Sequence, residues 1–584
     1  MDSWKWSSQK TIGLILLIII SASITYHGTI PSVLTWDVYG YYLYLPAIFK
    51  YGDMFEYAFA LQHVQDYQVS SSLYQLKEFS SGRAPIYTMG MAMLYLPFYL
   101  FADLIAHLHP GFVSDGLSPP YQWSIVVASW IYALVGLIFA QRLLKILKIK
   151  DHLISVVLFA VFLGTNYFHY VAFENGMPHS YLMSLYIVLA YFTIQWHLKP
   201  TVYKSIVLGS LIGLMFLIRP SEIIVIIIPL GYGVYNGLSF LVKNYKFIQH
   251  SRKIFTAILS GTLLVFCQLL YWKLNIGVWV FNGYEGHHFD FFSPHIIDGL
   301  FSYRKGWFIY TPLAMLALVG IPYIWFRDKR WFWPILIFTA LNVYWVLSWH
   351  IWWYASSFGM RALIQSFGIL IIPFAFLMEW VWSKSKLISV GFTGIVLVFI
   401  LLNQFQDWQY RNQILLKDEM TKTYYWKVFG QTTYNPSDRR YVDLDELFEG
   451  MHTDLRNLYN SPEGNIDTIP PGRYSPAFRT ELNQENIIPN NWLKVKATVK
   501  ASLDNFGKWD QARLVQNTIQ KGKNIKWRGM RFQYLIQLED FKDIEMEYRI
   551  PSIEGRDGIY ETYIWNAGPD TIYLSNFRVD IIEN

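Results

Sequence analysis

Long apolar runs constrain this chain more than any other feature. Residues 121–141, 254–275, 363–382 and 387–403 each approach or exceed the ~18 residues needed to cross a bilayer. In hydrocarbon every backbone N–H and C=O must be bonded internally, so runs of this length can persist only as helices. The chain is 15% charged, where soluble proteins carry about 25%. From about Gln404 the runs stop and charges become frequent. This predicts a polytopic α-helical membrane domain followed by a water-soluble domain. The net charge of +6 is scattered, so no nucleic-acid partner is expected. The single cysteine, Cys267, lies in an apolar run, which excludes an intrachain disulfide and a thiolate metal site. The first run, Thr11 to Ile24, follows Lys5 and Lys10 and precedes no small-residue cleavage site, so it reads as an uncleaved first span.

Cytoplasmic loops collect Lys and Arg. With the N-terminus inside, the spans fall at 11–24, 121–141, 153–168, 180–197, 205–218, 222–241, 254–275, 307–326, 331–348, 363–382 and 387–403, about eleven in all. The segment 28–120 is then an outer loop. Its apolar stretch Tyr87 to Leu108 is expected to lie on or dip into the outer leaflet, because a crossing would put Arg142, Lys145, Lys148 and Lys150 outside. The C-terminal domain emerges on the outer side.

The outer loops share a polarity. They carry Asp37, Asp53 and Arg83, then Glu174 and His179, Arg219 and Glu222, and the run "NGYEGHHFDFFSPH" with His287, His288 and His295. They end with Arg304, and with His350, Trp352, Trp353 and Arg361. A helix bundle would gather these at one face. Arg83, Arg219, Arg304 and Arg361 suit phosphate oxygens, although interfacial arginines also snorkel and Arg219 has Glu222 nearby as an ion-pair partner. The aromatics in "WHIWWYASSFG" are a membrane-interface belt or a stacking surface for a sugar ring. Carboxylates with His169, His179, His287, His288, His295 and His350 would suit a divalent ion, but no HExxH-like spacing is present. A divalent metal is therefore not favoured, and no cofactor is assigned from the sequence. Asp37 itself either caps the helix that "TWDVYGYYLYLPAIF" begins or acts as a base.

Taken in order, "WDVYGYYLYLPAIFKYGD", "GRAPIYTMGMAMLYLPFYLFA", "GTNYFHYVAFENGMPHSY", "GLMFLIRPSE", "LFSYRKGWFIYTPL" and "WWYASSFGMR" resemble the GT-C superfamily of membrane glycosyltransferases. The likeness covers about residues 1–403 and is nearest to the bacterial branch related to protein O-mannosyltransferases and aminoarabinose transferases. It implies a polyprenyl-phosphate-linked sugar donor, a protein, glycan or lipid acceptor, and transfer on the outer side of a bacterial inner membrane, facing the periplasm. It implies Asp37 as general base in an inverting displacement, the four arginines on the donor phosphate, and His179, His287, His288, His350, Trp352 and Trp353 on substrate. Many family members carry two adjacent acids in the first loop. Here Val38 follows Asp37, so Asp53 or Glu174 would have to serve as any second acid.

Residues 404–490 read as a helical and loop linker. From 491 the pattern alternates, as in "WLKVKATVKASL", "WRGMRFQYLIQL", "IEMEYRI", "IYETYIWN" and "IYLSNFRVDII". This predicts an antiparallel β-sandwich over 491–584. It looks like the jelly-roll domains that bind carbohydrate, with Trp565 either core or sugar platform. Two rival readings remain. One is a lipid or solute transporter or flippase, which would place ionisable groups at mid-membrane in repeated halves; no internal repeat is seen. The other is a membrane scaffold displaying a carbohydrate-binding sandwich.

Overall fold

The computed structural model describes residues 7–70, 72–418, 420–444, 448, 450, 454–462, 464, 466–482, 487–501, 512–532, 540–553, 558–568 and 570–583. Lys5, and residues 533–538 of the strand expected at 527–538, lie outside them. The chain divides into two compact units, Met1–Trp408 and Gln409–Asn584.

The first unit is helical. Among the described residues, eight helices are long and apolar enough to cross a membrane. They include Ser8–His27, Pro119–Ile146, Pro178–Leu198, Ser251–Ile276 and Lys386–Arg411. Asp151–Leu163, Val202–Ile218 and Pro220–Gly231 are shorter apolar helices. The expected span at 307–326 is in pieces, Trp307–Tyr310, Leu313–Val319 and Ile321–Asp328. Pro312 and the Gly320–Ile321–Pro322 step account for the breaks, since proline lacks the N–H that a continuing helix needs. The expected span at 222–241 ends early, at Gly231. A separate amphipathic helix, Gly237–Gln249, starts at an Asn236 cap, whose side chain accepts from Ser239 N at 2.8 Å.

The segment expected to lie on or dip into the outer leaflet is the Gly90–Leu108 helix, which has the length and composition to cross. Leu94 O accepts from Tyr132 Oη at 3.4 Å and Asp103 accepts from Tyr121 Oη, so this helix runs antiparallel along residues 121–132 of its neighbour. Its Gly90 end abuts Leu217 and Ile218, at the C-terminal end of the Val202–Ile218 helix.

The closest helix pairing joins Val202–Ile218 to Ser251–Ile276 through Gly209 and Gly213, a small-xxx-small spacing that lets backbones approach. A Cβ at Gly209 would stand 1.8 Å from Ala257 O. Gly209→Leu is expected to cost at least the ~1–3 kcal/mol of an overpacked core, read as a lower thermal midpoint of the solubilised protein. Gly391→Leu, where nothing lies within 4 Å, is expected to leave it unchanged.

A short hairpin interrupts the first outer loop: β1 (Leu76–Phe79) pairs antiparallel with β2 (Gly82–Pro85). The second unit holds the other strands. They are β3 (Asp454–Asn460), β4 (Asp467–Ile469), β5 (Phe478–Glu481), β6 (Trp492–Ala501), β7 (Arg513–Gln520), β8 (Lys523–Arg531), β9 (Lys542–Arg549), β10 (Gly558–Trp565) and β11 (Ile572–Glu583). They form two antiparallel sheets, β5-β10-β7-β8 and β3-β11-β6-β9, with β4 on β11. One hydrophobic core takes residues from both, among them Val495, Leu514, Tyr560 and Val579. Gln516 Nε2 on β7 donates to Met546 O on β9 at 2.9 Å, tying one sheet to the other. The region expected to be linker thus supplies β3, β4 and β5. Their short, largely polar sequences hide the alternation that longer strands show.

Candidate functional site

Asp37 lies in the first turn of the Trp36–Tyr42 helix, and the cap position is Thr35. The capping reading therefore does not hold. The Asp37 carboxylate instead accepts from two phenols, with Tyr74 Oη and Tyr87 Oη each 2.7 Å from Oδ1. The hairpin explains why both arrive together. Leu76 pairs with Pro85, and Ile86 N donates to Gln75 O at 2.9 Å, so Tyr74 and Tyr87 stand opposite each other just beyond the two strands. Gly40, one turn after Asp37, makes room for this. A Cβ there would lie 2.6 Å from the Tyr87 ring. Trp36 takes a left-handed φ of 49° where the chain turns into the helix, and its N–H donates to Val69 O at 2.8 Å.

The other carboxylate oxygen, Oδ2, is 3.7 Å from Arg361 Nη2 and accepts no hydrogen bond among the described residues. Arg219 completes the group. Its Nη1 lies 3.7 Å from Glu222 Oε1, and its guanidinium is 5.7 Å from the centre of the Tyr354 ring. Glu222 is buried; it accepts from Tyr186 Oη and, at 3.0 Å, from Gln365 Nε2. Gln365 also meets His179 Nδ1 at 3.4 Å. The charges of Arg219 and Arg361 both act on Tyr41, Tyr284, Tyr354 and His179, so the two cations stand near one set of side chains. Burial first, and then the Asp37 charge, push Tyr74 and Tyr87 well above the usual phenol range and Tyr284 up to about 12. These phenols remain proton donors and cannot serve as bases near neutrality.

Glu174 lies 3.3 Å from His169 Nε2, while His169 Nδ1 is 2.5 Å from Asp407 Oδ1. The Arg361 guanidinium feels both Asp37 and Glu174. Burial of His169 opposes its charge, but the Asp407 and Glu174 charges and hydrogen bonds outweigh it and raise the imidazole to about 9. A raised folded value means stability that is full below the unfolded value of 6.5 and is lost as pH rises through about 9. The thermal midpoint is expected to fall across that window, and His169→Gln to flatten the fall. A wild-type midpoint that does not change would contradict the assignment.

Other expected residues sit apart from Asp37. Asp53 accepts from Glu56 N at 2.9 Å and Ala58 N at 2.7 Å, which fixes the turn before the Phe59–Tyr67 helix. Arg83 donates to Glu78 at 2.8 Å and to Glu56 O at 3.4 Å, about 13 Å along the hairpin from Tyr87 at ~3.3 Å per residue. Arg304 lies over the Trp353 ring at 3.8 Å and covers one face of it, and Trp352 is buried. His287 Nδ1 meets His350 Nε2 at 2.8 Å, and His288 stacks on His350 with centroids 4.3 Å apart. Tyr284 links this histidine cluster to the site, 6.2 Å from Tyr87 and 6.3 Å from His287 between ring centres. Among the described residues no group of three or more His, Cys, Asp or Glu is placed to hold a metal ion. A cavity of about 490 Å³ runs between the Val202–Ile218 and Ser251–Ile276 helices, but the residues around Asp37 do not line it and its walls are nearly all apolar.

Tyr74, Tyr87, Tyr284, Tyr354 and Gln365 were not foreseen. Tyrosines are common at every membrane interface, so type alone does not mark them. Only the hairpin pairing singles out Tyr74 and Tyr87.

The fold and site define a chain with helices long and apolar enough to cross a membrane, in which Asp37 lies 3.7 Å from Arg361 and the charges of Arg361 and Arg219 act on one group of tyrosines. No family model and no curated protein matches it. Solved structures do. The chain is similar to the apo oligosaccharyltransferase of Archaeoglobus fulgidus, at 12% identity and a TM-score of 0.41, over 76% of this chain and 61% of that one. It is also similar to arabinosyltransferase EmbB of Mycobacterium smegmatis, at 11% identity and a TM-score of 0.31, over 84% of this chain and 63% of that one. It thus spans under two thirds of the length of either enzyme. A family 16 carbohydrate-binding module is similar at 16% identity and a TM-score of 0.14, over 19% of this chain and 73% of the module. By name the first two transfer sugars. At such scores the likeness assigns no residue a role.

Proposed function

We propose that this chain is an integral membrane glycosyltransferase. It moves a sugar from a polyprenyl-phosphate donor to an acceptor hydroxyl on the outer face of the membrane and inverts the anomeric centre. The observation that carries the reading is the Asp37 carboxylate, with Oδ1 held by two neutral phenols and Oδ2 open beside Arg361. A hydroxyl is a poor nucleophile until its proton is taken, and a carboxylate within hydrogen-bond reach can take it as the oxygen attacks C1. The departing phosphate is already a stable anion and needs cations rather than an acid. Arg361 and Arg219 supply these, each with a planar fork suited to phosphate oxygens. The phenols hold the carboxylate so that Oδ2 points to one place, which is preorganisation. Attack opposite the phosphate breaks the C1–O bond in a single displacement. In this reading the N-terminus is cytoplasmic, and the site and the β-sheet unit face the periplasm.

The test is a transfer assay in proteoliposomes, using polyprenyl-phosphate sugars labelled in the sugar and a membrane extract as acceptor. Labelled product that depends on the protein supports the reading. Movement of intact labelled lipid or free sugar across the bilayer, with no product, would replace it with the transporter reading.

A further inference from the structure

Strand register places a set of aromatics on the face of β8-β7-β10-β5 that points away from the second sheet. Residues directly opposite each other in a ladder share a face. Arg513 on β7 is opposite Trp565 on β10, Val515 is opposite Tyr563 and Gly529, and Asn517 is opposite Glu561 and Trp527. Gly529 decides how Trp527 lies. A Cβ there would stand 2.6 Å from the far edge of the indole, so only glycine lets the Trp527 ring come this close to β8's own backbone, where it reaches the Tyr563 hydroxyl. Tyr474 pairs with Trp565 through an isolated bridge and stacks on it, with centroids 6.1 Å apart and planes 19° apart. Tyr474 is 61% exposed, unusually open for a stacked aromatic.

Two polar groups beside these rings are left unmet. Asn517 is only 2% exposed. Its Nδ2 donates to Asn524 at 3.0 Å and Glu561 at 3.1 Å, but its Oδ1 has no partner among the described residues. Arg513 Nε, on a side chain whose guanidinium lies 5.6 Å from the Trp565 ring, also has none among them. A buried polar atom without a partner is costly and points to a ligand that supplies one.

We propose that this face, centred on Trp527, Tyr563, Trp565 and Tyr474, binds an uncharged glycan chain. Sugar rings present C–H-rich faces, which flat aromatics cover, and hydroxyl edges. A hydroxyl can donate to Asn517 Oδ1 and accept from Arg513 Nε. Such sites pair apolar and aromatic walls with a few placed polar groups. Nucleic acid also stacks on aromatics but needs a positive groove to track its phosphates. Here Arg479, Arg513 and Arg531 stand against Glu481, Glu561 and Asp443, which itself holds Arg531 at 2.7 Å. A charge-balanced face fits an uncharged partner. The inference does not depend on the transfer reading, because it concerns binding by the second unit alone.

The full-length protein in detergent is to be passed over resins carrying cello-oligosaccharide, mannan or dextran, with heparin and oligo-dT resins beside them. Retention on at least one neutral resin, reversed by the same free glycan, is expected. Trp565→Ala and Trp527→Ala should each weaken it about tenfold, the loss expected of an anchor residue. Tyr474→Ala, at an exposed position that tolerates truncation, should weaken it in the same direction, and Trp565→Phe should keep most of it. Retention on no neutral resin, retention that none of the alanine variants changes, or preference for heparin or oligo-dT would each overturn the proposal. A loss of sugar transfer with glycan retention intact would count against the transfer reading only.

Discussion

Asp37→Asn is expected to lower sugar transfer by about 10²–10⁴-fold, the usual worth of a positioned general base, while the protein still folds and binds donor. An amide keeps the shape of the carboxylate, and its oxygen can still accept from Tyr74 and Tyr87. What it loses is basicity at the position facing Arg361. The ion pair lost with it spans 3.7 Å and is partly exposed, so its contribution to stability is about 0–1 kcal/mol. The measurement is turnover at saturating donor, with the thermal midpoint and donor affinity read on the same preparation. Asp53→Asn makes the contrast. Its carboxylate holds two backbone amides in a turn, so the expected effect is a cap-sized loss of about 0.5–2 kcal/mol in stability with turnover nearly unchanged. Wild-type turnover in Asp37→Asn would sink the role given to this residue. A collapse in Asp53→Asn at unchanged stability would move the role there.

The helical unit was largely legible because crossing hydrocarbon leaves the backbone one option. Eight long apolar helices appear among the described residues, and the Lys386–Arg411 helix lies where the last span was expected. The breaks were less legible. Thr311–Pro312 and the Gly320–Pro322 step cut a span that hydropathy averaging had joined. The convergence of outer loops was expected, and Asp37 comes within 3.7 Å of Arg361 while the charges of Asp37, Arg219 and Arg361 all act on Tyr284. Which candidates would be excluded was not foreseen, because local partners decide it. Glu78 holds Arg83 and backbone amides hold Asp53, and neither contact leaves a periodic trace. The Asp37 phenols depend on a hairpin register set by residues 76–85, and the Asp407–His169 contact joins positions 238 residues apart. In the second unit, alternation found β6, β8, β9, β10 and β11 and missed β3, β4 and β5, where strands of three to seven residues carry too few apolar positions to show a period, and also β7, where the buried polar side chains of Gln516, Asn517 and Thr518 break it.

Arg361→Gln is expected to lower turnover about 10²–10³-fold, the range seen when one preorganised stabiliser of transition-state charge is removed. Arg361→Lys should recover only part of this, because an ammonium offers a point charge where the phosphate meets a fork. Arg219 needs a different design. It is the counter-ion of Glu222, and stripping a buried acid of its partner costs about 3–5 kcal/mol, so Arg219→Gln alone would confuse a folding loss with a catalytic one. Glu222→Gln keeps the hydrogen-bonding shape offered to Tyr186 and Gln365 and removes the charge that Arg219 answers. The double variant Arg219→Gln/Glu222→Gln should therefore recover most of the stability lost in Arg219→Gln. If Arg219 faces the donor phosphate, turnover stays low in the double variant although the thermal midpoint returns. If Arg219 serves only as the partner of Glu222, turnover returns with the midpoint. The two readouts move together in one case and separate in the other, and the first reading predicts that they separate.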